Sequence, residues 1–90
     1  MFGILYHHLV AKEDIPRLSL FWKEKIRSAI ENKLTAKPEV FGKPLRRSLK
    51  GYWKLRVGDY RIIYRIEKIK VKIFMIQHRS VVYGRVIKRV

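Results

Sequence analysis

The dipeptide Gly58-Asp59 lies between two runs rich in aromatic and β-branched residues, and it constrains the fold of this chain more than any other feature. Glycine reaches a positive φ without steric cost, so Gly-Asp between such runs signals a two-residue hairpin turn with glycine first. Two turn residues allow one register. Val57 faces Tyr60, Arg56 faces Arg61, Leu55 faces Ile62, Lys54 faces Ile63 and Trp53 faces Tyr64. Side chains alternate across a pleated strand. One face of the hairpin therefore carries Trp53, Leu55, Val57, Tyr60, Ile62, Tyr64 and Ile66. The other carries Tyr52, Lys54, Arg56, Arg61, Ile63 and Arg65. The first face is dry and calls for a helix over it; the second is cationic. A third strand, Val71 to Gln77, follows a short turn. With Ile66 opposite Val71, strict alternation puts Ile73 and Met75 on the dry face and Lys72, Phe74, Ile76 and His78 on the cationic one.

The first half of the chain supplies the helices. Phe2 to His7 alternates like a strand, with Phe2, Ile4 and Tyr6 on one side. Val10 to Asp14 suits a helical turn that Pro16 limits. Ser19 is the expected N-cap of a longer helix. Leu18, Trp22, Ile26, Ala29, Ile30 and Leu34 recur on it at three- and four-residue spacing, the stripe of a helix lying on a sheet. Pro38 disfavours helical geometry at Lys37, so the helix stops there, and Glu39 to Leu45 reads as a connecting loop. The order is β-α-α-β-β-β. This predicts an α+β fold, a small antiparallel sheet with two N-terminal helices on one face. Ninety residues suit a single domain, 1–90, with one modest core.

Charge decides what such a fold meets. The chain carries a formal net charge of +15, and 15 of its 22 Lys and Arg residues lie in residues 43–90 beside only two acids, Asp59 and Glu67. A surface that served solubility alone would mix the signs; this one predicts a polyanionic partner. A membrane is disfavoured, because the cations do not sit opposite an apolar helical face and no segment is long and uncharged enough to span. The N-terminus lacks the basic start and small-residue cleavage pattern of a leader. The chain has no cysteine, which fits a reducing cytoplasm and removes thiolate zinc sites. His7 and His8 share no metal-ligand spacing with a carboxylate, so no metal and no cofactor is expected.

On the cationic face Lys54, Arg56, Arg61, Arg65, His78 and Arg79 are expected to converge, with Tyr52 and Tyr83 close in sequence. Arginine grips phosphate through two parallel charge-assisted hydrogen bonds, and aromatic rings among cations offer stacking surfaces to unpaired bases. Arg56 directly opposite Arg61 weakens a hairpin unless a ligand brings negative charge. No Ser-His-Asp constellation and no phosphate-loop glycine pattern is legible.

The stretch Leu49-Lys50-Gly51-Tyr52-Trp53-Lys54-Leu55-Arg56-Val57-Gly58-Asp59-Tyr60-Arg61-Ile62-Ile63-Tyr64 closely resembles the central hairpin of RelE/ParE superfamily toxins. His78-Arg79-Ser80-Val81-Val82-Tyr83 is similar to the family's His-Arg-x-x-x-Tyr ending, and Phe41 to Leu45 to one of its loops. The resemblance implies the toxin of a toxin–antitoxin pair, a ribosome-associated and metal-independent mRNA endoribonuclease that inhibits translation in the cytoplasm. Its partners would be mRNA on the ribosome and a cognate acidic antitoxin. By motif position Arg61 and Arg79 would hold the phosphate and Lys54 would supply charge or proton transfer. Tyr83 would orient or stack the nucleotide, and His78 would act as general base or acid. Arg56, Arg65, Tyr52 and Lys50 would bind RNA. Tyr52 stands where one branch has a second lysine; another branch uses a strand glutamate as the base, and after Phe41 the only acids here are Asp59, in the turn, and Glu67, near the next one. The ParE branch shares the fold but poisons DNA gyrase. A non-catalytic basic nucleic-acid-binding module is the third reading.

Overall fold

Gly58 takes the positive φ that its turn requires, 58°. The flanking strands, β3 (Trp53–Val57) and β4 (Tyr60–Glu67), pair antiparallel in the register derived from that turn. The glycine is needed twice over. A Cβ at position 58 would lie 2.5 Å from the Trp22 ring, whose centroid is 5.0 Å from that of Tyr60.

The computed structural model describes residues 1–89. Before the hairpin come β1 (Gly3–Tyr6), a helical turn at Val10–Asp14, and α1 (Leu20–Ala29), which continues as a wider turn over Ile30–Leu34. A short helix α2 (Pro38–Phe41) and the two-residue strand β2 (Lys43–Pro44) follow, where the sequence suggested only a loop. Proline suits the first helical turn because its missing N–H has no partner to lose there. After the hairpin come β5 (Lys70–His78) and α3 (Val82–Arg89). Ser19 caps α1 as expected, its Oγ accepting the Trp22 N–H at 3.4 Å.

The five strands form one sheet in the order β1-β5-β4-β3-β2. The α+β architecture with N-terminal helices over one face holds, but the sheet is mixed, because β1 runs parallel to β5. Tight turns force β3, β4 and β5 to alternate in direction. The long helical connection after β1 imposes no such return.

Ile26, Ile30 and Leu34 of the α1 region meet Leu55, Ile62, Tyr64 and Ile73 in the main core. The Tyr64 hydroxyl donates to the Pro38 carbonyl at 2.7 Å, and burial, with Glu39 nearby, pushes this phenol well above its usual range. That bond ties α2 to the sheet.

Two features depart from strict alternation. Tyr64 pairs with Ile73 but Ile63 pairs with Met75, so Phe74 is an extra residue, a β-bulge. Beyond it the parity inverts. Met75 joins Ile63 and Phe74 on the far face, and Ile76 joins the α1 side, which reverses the assignment from simple alternation. His78 now faces Tyr60 rather than lying in line with Arg61. The second departure is α3, which the sequence reading did not anticipate. Val82 and Val86, four residues apart, cover Ile63, Met75 and Leu49 in a second core. The far face is thus cationic only where α3 does not reach. Burying each such valine contributes about 1.5–3 kcal/mol relative to leaving it exposed.

A buried polar cluster fastens α3 down. The Asp14 carboxylate, 2% exposed, accepts from Arg89 Nη1 at 2.8 Å, Gln77 Nε2 at 2.8 Å and the Ile76 N–H at 2.9 Å.

Candidate active site

At the Gly58 end of the sheet, Lys54, Arg61, His78, Arg79, Ser80 and Tyr83 line an open hollow of about 450 Å³. Lys54 comes from the second position of β3, Arg61 from the second of β4 and His78 from the last of β5. Arg79 and Ser80 occupy the turn after it, and Tyr83 the first turn of α3. The hairpin register brings Lys54 and Arg61 close, while α3 delivers Tyr83 across 29 positions of sequence to Lys54. Among the described residues, the lining is cations, hydroxyls and one imidazole.

Each side chain is held. Lys54 Nζ donates to the Tyr83 hydroxyl at 3.2 Å and lies 5.7 Å from the centre of its ring. Arg61 Nη1 donates to the Gly58 and Tyr60 carbonyls, each at 3.0 Å, so the turn fixes the guanidinium through one nitrogen. The Arg79 N–H donates to the Asp59 carbonyl at 2.8 Å, which closes the end of β5 against the hairpin. Its Nε is only 3.8 Å from Asp59 Oδ1 with both side chains largely exposed, a contact worth little in water and readily exchanged for phosphate. His78 Nδ1 lies 2.8 Å from Ser80 Oγ and accepts the Ser80 N–H at 3.2 Å. With Nδ1 accepting, a neutral ring carries its proton on Nε2, the nitrogen left for a ligand. Its ring also stands edge-on to Tyr60 at 5.6 Å.

Cation faces cation across the strands. Lys43 pairs with Lys54 and Arg56 with Arg61, an arrangement that destabilises a sheet unless anions are supplied.

The structure thus gathers Lys54, Arg61, His78, Arg79 and Tyr83 in one place. Arg56 is exposed on β3 beside the hollow and does not line it. Arg65 lies elsewhere, its guanidinium 5.2 Å from the Tyr52 ring centroid and 3.7 Å from Glu67. Tyr52 leans on Phe74 at 5.1 Å and helps to close the second core. Lys50 sits exposed in the turn before β3. Ser80 was missed, although its place two residues after His78 was visible. Asp14 could not be found from sequence, because its partner Arg89 is 75 positions away.

Residues 5–83 match the family model described as the ParE toxin of type II toxin-antitoxin systems. The chain belongs to this toxin family. All five gathered side chains fall inside the matched region, which ends at Tyr83. This toxin is 38% identical over 79 residues to Toxin RelE of Mycobacterium tuberculosis, covering 81% of its own length and 77% of that protein. It is 44% identical over 54 residues to Toxin RelG of the same organism, covering 58% of itself and 62% of the relative. Its fold superposes with a TM-score of 0.81, at 28% identity, on a chain from the crystal structure of the toxin–antitoxin complex RelBE2 of M. tuberculosis. That match covers 88% of this chain and 92% of the other. No helix among the described residues is long and apolar enough to cross a membrane.

Proposed function

We propose that this toxin is a ribosome-associated mRNA endoribonuclease, held in check by a cognate acidic antitoxin in the cytoplasm. The observation that carries the reading is the convergence of Lys54, Arg61, His78, Arg79 and Tyr83 on one hollow. In the proposed reaction the RNA 2′-hydroxyl attacks the adjacent phosphorus, the new P–O bond closes a 2′,3′-cyclic phosphate, and the bond to O5′ breaks. The nucleophile belongs to the substrate, so the protein has charge and protons to supply, and no metal is required. Arg61 and Arg79 hold the phosphate and offset the charge that builds on its oxygens. Lys54 supplies charge beside the 2′-hydroxyl or takes part in its proton transfer. His78, whose Nδ1 is engaged by Ser80, exchanges protons through Nε2, as general base toward the 2′-hydroxyl or general acid toward the departing O5′. Tyr83, oriented by Lys54, stacks against the nucleotide. Arg56, and further out Arg65, Tyr52 and Lys50, steer the RNA.

The test is primer extension on mRNA from cells expressing the toxin, run beside a gyrase cleavage assay. Cuts inside codons without trapped DNA breaks are expected. Trapped gyrase–DNA breaks with intact mRNA would select the gyrase-poison reading. For the partner, RelBE2 is a complex of this fold with an antitoxin. An acidic segment laid over the hollow would neutralise Arg61 and Arg79 and block the RNA. The complex should resist urea better than the free toxin, since a ligand that binds only the folded state stabilises it.

A further inference from the structure

A second concavity, of about 370 Å³, adjoins the first along the edge of β3. It shares Lys54 and Arg61 with the active-site hollow and adds Lys33, Phe41, Lys43 and Arg56. We propose that it is a second nucleotide subsite, where Phe41 stacks a base beyond the nucleotides that hold the cleaved bond and Lys43 and Arg56 take the phosphate beside that base. The proposal rests on the RNA reading above and names where the strand continues beyond the scissile phosphate.

Phe41 is 45% exposed, yet it sits on a firmly anchored segment. Its N–H donates to the Lys37 carbonyl at 3.1 Å. Tyr64 holds the Pro38 carbonyl from below. Gly42 is seated so closely that a Cβ there would stand 1.7 Å from the Tyr64 hydroxyl. Immediately afterwards Lys43 pairs with Lys54. A ring on such a segment keeps its position, and here that position is half in solvent, with Lys33 Nζ 5.7 Å from its centre. One member of each cross-strand cation pair, Lys54 of Lys43–Lys54 and Arg61 of Arg56–Arg61, lines both concavities. A rigid exposed ring among cations is what unpaired nucleic acid uses, the ring for a base and the cations for the backbone. An acidic peptide would satisfy the cations but gives the ring no planar partner. The two shared residues make the path continuous, so one strand occupies both concavities.

Fluorescence anisotropy on the full chain tests this, with fluorescein-labelled RNAs whose 2′-O-methyl riboses prevent attack on phosphorus. A tetranucleotide is compared with versions lengthened by two nucleotides at the 5′ or the 3′ end. Lengthening on one side is expected to tighten binding roughly five- to 150-fold, the contribution of one stacked base. Phe41→Leu should remove most of that gain and Phe41→Trp should keep it, while the melting temperature stays unchanged. Lys43→Gln should reduce the gain and flatten its salt dependence. A length gain untouched by Phe41→Leu overturns the subsite alone. A tetranucleotide bound equally well by Arg79→Ala overturns the cleavage reading and the subsite with it. If Phe41→Leu and Lys43→Gln weaken binding of a poly-glutamate peptide and leave every RNA unaffected, the concavity serves an acidic protein.

Discussion

Arg61 and Arg79 hold their positions through backbone carbonyls and a loose, exposed contact, and neither supports the core. Their removal should therefore separate catalysis from stability. Arg61→Ala and Arg79→Ala are each expected to slow single-turnover cleavage on the order of 100- to 1,000-fold, the usual effect of losing one preorganised donor to transition-state charge. Near-normal rates with unchanged melting would remove these arginines from the chemistry. His7 gives a different residue-scale expectation. It is partly buried against Phe74, and desolvation first, then His8, Arg89 and Lys72, hold its pKa below the usual 6.5. The unfolded chain thus binds the proton more readily than the folded one. The stability linked to His7 is full above the usual value and is lost as pH falls through the lowered one. The urea midpoint should drop as pH falls below the usual histidine value of 6.5, and His7→Gln should flatten that drop. An equal drop in the variant would assign the effect to other groups.

At the scale of elements, α3 carries an unusual share of the design for eight residues. It covers the second core with Val82 and Val86, presents Tyr83 to Lys54, and ends on Arg89 in the Asp14 cluster. Arg89→Ala leaves the Asp14 carboxylate buried without its countercharge, which costs about 3–5 kcal/mol when one partner of a buried pair is removed. Urea unfolding should show that loss, and hydrogen exchange should show it first in the amides of α3. A variant as stable as the parent, with α3 amides still protected, would mean that the two valines alone hold the helix. Because Tyr83 rides on α3, cleavage should fall along with stability. The bulge at Phe74 matters at the same scale. By inverting parity it turns Ile76 toward α1, Gln77 toward Asp14 and His78 toward Tyr60.

For the whole molecule, the proposed function makes the net charge of +15 and its concentration in the second half the determinant of RNA affinity. With about five phosphate contacts on a single strand, log K against log salt should slope near −3.5. Anisotropy titrations of a 2′-O-methyl RNA over a range of potassium chloride check this. A slope near zero would assign the charge to another purpose. The same charge makes the free toxin self-repelling, so binding of an acidic partner relieves repulsion as well as covering the hollow.

The sequence by itself determined what depends on local rules. Gly58-Asp59 set the hairpin and its register, because a two-residue loop with glycine first leaves the strands one pairing. The three- and four-residue spacing from Leu18 to Leu34 set the main helix, and Ser19 and Pro38 set its ends. The same register puts Lys54 and Arg61 on one face of the hairpin, near one another. Tertiary structure decided the rest. Whether β1 runs parallel or antiparallel depends on packing at the far edge, since its connection is too long to dictate direction. The bulge arises where two cores compete for β5, and no residue at Phe74 announces it. The Asp14–Arg89 pair joins opposite ends of the chain, and its strength comes from burial, which sequence does not display. Tyr83 met Lys54 only because the second core drew α3 across the sheet.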